Sequence, residues 1–376
     1  MRLMSLLSKR TARCPAVALV ALLLVSSRAA TAAAPCTLDE ATGTTIDKTP
    51  FLTGGYGLRW NFAVNRLAFM QPGADGYYRI FTIKPDGSDR RPLTDGRAGL
   101  PTKHHGAPYW HPSGRYILFI AQKQEWSGRK LFGNPDYEAL PGFGRHDDLW
   151  LITPDGRRLW QLTNEPNTKE LGVLLPVFSP DGKRVAWSAR QHGMVYALTV
   201  ADFVETPQPH LRNIKTYQPG GAAYYEPGSF TSDSQSLLYT SDQDTHSFWA
   251  SQIYRLDLPS GKGTRLTVGK DYNEHPTVVN TPRGDWVVYM STKGVDRYPL
   301  TLMLGTDWYA MKTDGGGAKR LTSMNVNRKD NPENEGAMRV AGTVAISPSG
   351  EFMLGDVQDS LTKQSGMVKV VHFTCP

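Results

Sequence analysis

Short apolar runs separated by tight polar turns fill the chain from about residue 50 onward, a pattern of strands rather than helices. The clearest example is Phe178-Ser179-Pro180-Asp181-Gly182-Lys183-Arg184-Val185-Ala186-Trp187-Ser188. Pro180 presets φ for the first central position of a type I turn, and Asp181 suits the second. Gly182 then supplies the positive φ from which an antiparallel partner can begin. The run after the turn is apolar on both faces of the pleat, which predicts a strand covered on both sides.

Degraded copies of this hairpin recur. They stand around Trp110–Phe119, Phe230–Tyr239, Thr281–Tyr289 and Ile346–Leu354, and around Phe62–Phe69 with a shortened turn. Most are followed by a third strand, a second Gly turn (Pro85-Asp86-Gly87, Pro154-Asp155-Gly156, Pro259-Ser260-Gly261, Thr313-Asp314-Gly315) and a short fourth strand. That last strand ends in Leu-Thr at Leu93-Thr94, Leu162-Thr163, Leu266-Thr267 and Leu321-Thr322. Four strands per unit at a spacing of roughly 50 to 65 residues predict an all-β, six-bladed β-propeller of four-stranded antiparallel blades. The third blade is the least regular, its outer strand near Ile214-Lys215-Thr216-Tyr217 being poorly marked. The sixth unit ends at its third strand, Val368–Phe373. Its missing outer strand has a counterpart in Thr49-Pro50-Phe51-Leu52-Thr53, so the ring is expected to be closed by an N-terminal strand.

The ends of the chain refine this picture. Arg2, Lys9, Arg10 and Arg13 precede the apolar run Ala16–Val25, and small residues follow at 30–34, so residues 1–34 read as a signal peptide and 35–376 as one propeller domain. The leader holds five of the 42 basic residues and no acid, which leaves 37 bases against 35 acids. With the basic excess gone, a nucleic-acid partner loses its support, and no later segment approaches a transmembrane span. An exported protein, periplasmic or secreted, is expected. Past the leader only Cys36 and Cys375 remain, one near each terminus. Ring closure would bring them together as a disulfide in an oxidising compartment; the alternative is two free thiols on frayed ends.

On Ser179-Pro180-Asp181-Gly182-Lys183 and Arg158-Leu159-Trp160-Gln161-Leu162-Thr163, the repeats resemble the WD-like propeller repeats of the TolB type, over about Leu52 to Phe373. The resemblance implies the propeller and binding through protein contacts. It also implies an α/β domain ahead of the propeller, for which the stretch between leader and first blade leaves no room. Similar repeats occur in prolyl-oligopeptidase-type enzymes, but Gly-x-Ser-x-Gly, His-Glu-x-x-His, Walker and dinucleotide motifs are all missing here.

Chemistry is therefore sought on geometry. The short Gly turns all belong to one face of the expected disc. The long segments 122–146, 241–251, 291–306 and 323–338 belong to the other, where binding usually resides. Six of nine histidines map to that long-loop face: His104, His105, His146, His192, His246 and His275. They are either ordinary polar loop residues or groups that converge over the channel as ligands or proton carriers. The expected ligand-binding set is His104, His105, His146, His275, Tyr224, Tyr225, Glu226 and Glu274, with His104, His105 and His275 as candidate ligands of one divalent metal ion. Candidate catalytic groups are His105, Arg145, Arg190 and Tyr225. Trp110, Trp150, Trp187 and Trp286 are expected between blades, Trp249 and Trp308 at the rim, and Trp126 and Phe132 either in a small insertion core or on a ligand. The leading reading is a non-catalytic, exported module that binds an envelope protein or a glycan through the long-loop face. The alternative is a metal- or His-dependent lyase or hydrolase of acidic polysaccharides, an analogy at the level of fold.

Overall fold

The Ser179 turn shows how each unit is built. Ser179 Oγ donates to Asp181 Oδ1 (2.6 Å), which also accepts the Lys183 N–H (3.0 Å), while Ser179 Oγ accepts the Arg184 N–H (3.0 Å). Thr231 with Asp233 and Thr153 with Asp155 repeat this pattern, so the hydroxyl-x-Asp spacing closes the turn without help from the rest of the fold. The Leu-Thr endings have an equally local purpose. The hydroxyls of Thr94, Thr163, Thr267 and Thr322 each accept an N–H from the neighbouring third strand, at 2.9, 2.9, 2.9 and 3.1 Å. Thr163 and Thr322 then donate to Asp148 and Asp307. A strand of two or three residues is thereby anchored by side-chain bonds that its short ladder lacks.

The computed structural model describes residues 36–167, 170–295, 305–326, 331–336, 338–359 and 366–376. The expected leader lies outside them. The strands form six antiparallel sheets, hence a six-bladed propeller. Blade I uses Tyr56–Asn61, Arg66–Pro72, Tyr78–Ile83 and Arg91–Pro92, and blade II uses His105–Trp110, Ile117–Gln122, Asp147–Ile152 and Leu159–Gln161. Blade III uses Gly172–Phe178, Arg184–His192, Val195–Val204 and His210–Tyr217; blade IV uses Tyr225–Phe230, Ser236–Ser241, Gln252–Asp257 and Gly263–Arg265. Blade V uses Asn273–Thr281, Gly284–Ser291, Asp307–Lys312 and Lys319–Arg320. Among the described residues the only helical turns are two short 3₁₀ segments, and no helix is long and apolar enough to cross a membrane.

Blade VI closes the ring. Its strands Arg339–Ile346, Phe352–Asp359 and Gly366–Thr374 come from the C-terminal end, and the fourth position is filled from the N-terminal end. Leu52 and Thr53 pair with Val368 and Met367, as the Leu-Thr signature predicts. A longer piece that the signature does not mark, Gly43–Ile46, pairs with Val371–Thr374. Cys36 and Cys375 form a disulfide beside it, with Cα atoms 5.7 Å apart. The outer strand of blade III is longer than expected, beginning at His210 and bent by Asn213 (φ 53°).

Blades pack face to face through buried side chains such as Phe69, Phe119, Tyr239 and Trp308, each worth roughly 1.5 to 3 kcal/mol of apolar transfer. Trp308 is a correction. It is fully buried rather than on the rim, its ring pressed so close to Gly355 that a β-carbon there would lie 2.4 Å away, with its indole N–H on the Gly342 carbonyl (2.9 Å).

Candidate functional site

All six inner strands carry a bulge in the same place, two or three residues from their start on the long-loop side. The register shifts fall between Tyr56 and Arg59, Gly106 and Tyr109, Leu174 and Val177, Pro227 and Ser229, Glu274 and Thr277, and Ala341 and Val344. Ala107, Leu175 and His275 adopt positive φ there (49°, 44° and 56°), a conformation such side chains rarely take, and each precedes a proline that has no N–H to leave unpaired. The bulges ring the mouth of the central channel. All six contribute to the lining of a cavity of about 1440 Å³ on the long-loop face.

The cavity wall is drawn from every long segment the sequence assigned to that face: Tyr137, Trp249, Val295 and Met338 represent the four. Two of its rim aromatics, Phe132 (71% exposed) and Trp249 (64%), stand open to solvent. The 122–146 segment is held on the blades by Asp136. Its carboxylate accepts Lys103 Nζ (2.8 Å), Gln122 Nε2 (2.8 Å), the Tyr77 hydroxyl (3.0 Å) and the Gly128 N–H (2.7 Å). Trp126 stacks on His146 (centroids 4.6 Å apart), so it belongs to the small core of that insertion.

Deeper in the funnel the charges gather. His275 Nδ1 meets Glu226 Oε1 at 2.8 Å, and its Nε2 faces Glu274 Oε2 at 3.5 Å. The Tyr224 hydroxyl donates to Glu226, and Tyr272 stands beside Glu274 on the cavity wall. Burial opposes a charge on His275, but Glu274 and Glu226 outweigh it and raise the imidazole to about 9. Burial likewise pushes Glu274 up to about 7 against the pull of His275. The two carboxyl groups flanking the imidazole thus favour its protonated form, and each has a tyrosine behind it. Asp356, also on the cavity wall, accepts the Gly57 N–H (2.7 Å) and the Thr343 hydroxyl, and burial raises its pKa. Just past the bulges of blades I and II, the Arg59 guanidinium lies 5.5 Å from the centre of the Tyr109 ring, and both residues line the cavity.

Of the expected set, Tyr224, Glu226, Glu274 and His275 meet in the funnel. The others do not. His104 accepts the Tyr78 N–H at Nδ1 (3.1 Å) and donates from Nε2 to the Pro135 carbonyl (2.8 Å), which leaves no lone pair for a metal. His105 Nε2 bonds the Pro101 carbonyl (2.8 Å), with Nδ1 buried and unpartnered. Burial lowers both, to about 4 and about 3, and it lowers His146 as well. Arg145 and Arg190 pair with Glu170 (3.4 and 3.6 Å), and Tyr225 turns into the blade, bonding Gly220 and Gly221. The expected three-histidine centre is thus corrected: among the described residues the group able to surround a divalent ion is Glu226, Glu274 and His275, with ligand atoms within 4.8 Å of one another. Tyr272 and Arg59 went unnoticed in the sequence. The first had a signal, since Tyr224-x-Glu226 and Tyr272-x-Glu274 repeat one spacing at the head of successive blades.

These features define a six-bladed propeller closed by its N-terminal segment, with a wide funnel on the long-loop face. More particularly, the fold is that of the TolB-type propellers. The chain is similar to TolB of Acinetobacter baumannii (17% identity, TM-score 0.52), with 81% of this chain and 63% of that one covered. A putative TolB of Agrobacterium tumefaciens matches at 16% identity and TM-score 0.50, over 87% and 92%. Puromycin hydrolase matches at 16% identity and TM-score 0.51 over 85% of this chain but 45% of its own, so a hydrolase also contains a propeller of this fold. No protein-family model and no curated protein matches the chain.

Proposed function

We propose that the protein is an exported binding module whose long-loop face takes a segment of an envelope protein, without performing chemistry on it. The observation that carries this is the funnel itself. Its wall is dominated by apolar and aromatic side chains (Phe132, Tyr137, Phe143, Met194, Phe248, Trp249), with Lys270 and Asn134 among them, while Glu226, Glu274 and His275 are engaged with one another. A sugar needs hydrogen-bonding side chains around the aromatic platform; a peptide with apolar side chains does not. The TolB-type fold and the disulfide agree with an exported binder. The test is retention of partner by the immobilised chain, wild type against Phe132→Ser and Trp249→Ser, alongside a glycan array. Loss of protein retention in both variants is expected; retention unchanged, or array binding alone, refutes the reading.

One observation favours the second reading, a metal- or His-dependent lyase or hydrolase acting on an acidic polysaccharide: the Glu226–His275–Glu274 cluster has ligand and proton-transfer groups in one place. Stoichiometric divalent ion in the purified protein, lost in His275→Ala, together with turnover of a polyuronate, would establish it over the binder.

A further inference from the structure

Among the described residues, Arg59 shares with Arg97, Arg184 and Arg255 the lack of a carboxylate within 4.0 Å, but of these four only Arg59 lines the funnel. Arg66, Arg79, Arg190 and Arg320 each have a carboxylate within 4.0 Å: Asp89, Asp75, Glu170 and Asp307. Among the described residues Arg59 has none, although it lines a cavity that contains three carboxyl groups. Its hydrogen bond goes to the Leu58 carbonyl (3.0 Å), and its plane lies over Tyr109. Two of the three carboxyls are engaged with other groups, and the third, Asp356, through one oxygen only, its Oδ1 being buried and unpartnered. Glu226 and Glu274 face His275 and their tyrosines, and Asp356 Oδ2 is held by Gly57 and Thr343. A guanidinium bonded only to a backbone carbonyl, on the wall of a cavity with an aromatic rim, can receive an anion, and its planar fork fits a carboxylate through two parallel bonds.

We propose that the funnel receives the C-terminal end of a partner polypeptide, its apolar side chains against the aromatic rim and its terminal carboxylate on Arg59. This rests on the binding reading above and gives it a chemistry. A chain end is favoured over an internal loop because only the end carries a free carboxylate for the guanidinium fork. The thiol-free funnel and its aromatic mouth impose no other requirement on the partner than apolar residues next to its terminus.

The test uses the full mature chain. A library of fluorescent octapeptides, their last four positions drawn from Leu, Phe, Met, Val and Ala, is made once as free acids and once as C-terminal amides. Affinity selection is followed by fluorescence anisotropy on the enriched sequences. Free acids are expected to bind about tenfold or more tightly than their amides, equivalent to one charge-assisted bidentate contact. Arg59→Met is expected to erase the difference while leaving amide binding alone, and Arg59→Lys to restore part of it. Equal binding of acid and amide by the wild type overturns this inference and leaves the binding reading standing. Enrichment of neither form overturns both. Should Arg59→Met fail to fold, the acid-to-amide ratio of the wild type and of Arg59→Lys still decides.

Discussion

Removing the Cys36–Cys375 bridge should be felt through the unfolded chain. The bond closes a loop of 339 residues. Loop closure costs an entropy of roughly 2.1 + 1.5R ln n cal/mol/K, close to 20 cal/mol/K at this length, or about 6 kcal/mol at 25 °C. In the folded ring the same ends are already adjacent, since Gly43 lies opposite Thr374 and Ile46 opposite Val371. The double variant Cys36→Ser/Cys375→Ser therefore keeps its native strands but frees its unfolded state. Guanidinium unfolding of the oxidised wild type and the variant measures the difference, and hydrogen exchange at Gly43–Ile46 shows whether the outer strand still pairs. A loss of about 3 to 6 kcal/mol, with those amides still protected in native buffer, is expected. A loss below about 1 kcal/mol would refute the reasoning, as would exchange of those amides at the rate of an open chain.

Other outcomes follow from the funnel. Phe132→Ser and Trp249→Ser should leave the melting temperature within about 2 °C of wild type, because both rings are largely exposed, while weakening partner binding. His275 is raised from its ordinary 6.5 to about 9, so folding favours its protonated form. Its contribution is complete below about pH 6.5 and lost as the pH rises through about 9. The wild type should thus lose stability over that window, and a His275→Gln variant should not show that drop. NMR should place the His275 titration near 9, and Glu226→Gln should bring it down by removing the nearer carboxylate. Gly228 lies where an added β-carbon would sit 2.1 Å from the Pro276 carbonyl oxygen, so the inner strands of blades IV and V approach over a bare backbone. Gly228→Ala should cost roughly 1 to 3 kcal/mol, read by thermal unfolding, since the obstacle is main chain and cannot swing aside.

The architecture was legible because its determinants are local. Ser179-x-Asp181 and Leu162-Thr163 carry their own hydrogen bonds, and a unit that closes its own turns announces itself in any register. Gly43–Ile46 was not legible, because the strand it pairs with, Gly366–Thr374, lies more than 300 residues away and it carries no turn of its own. The site was half legible for a similar reason. Residues at strand starts were placed correctly on the long-loop face, but whether a side chain enters the channel or the blade depends on a bulge of one or two residues. The bulge sends His275 into the funnel, whereas His105 and Tyr225, beside the bulges of their own strands, turn into the protein. Arg59 looked like any strand arginine, since lacking a carboxylate partner is a property of the folded ring and not of its neighbours in sequence.

The claim that the long-loop funnel is the working surface is tested most directly by where a partner touches it. A photo-activatable phenylalanine analogue can replace Trp249 on the funnel rim or Phe62 on the opposite, short-turn face, both of them exposed. After irradiation in intact cells, a discrete cross-linked species is expected from position 249 and none from position 62. Cross-linking from position 62 alone would place the working surface on the other face of the disc and contradict the account.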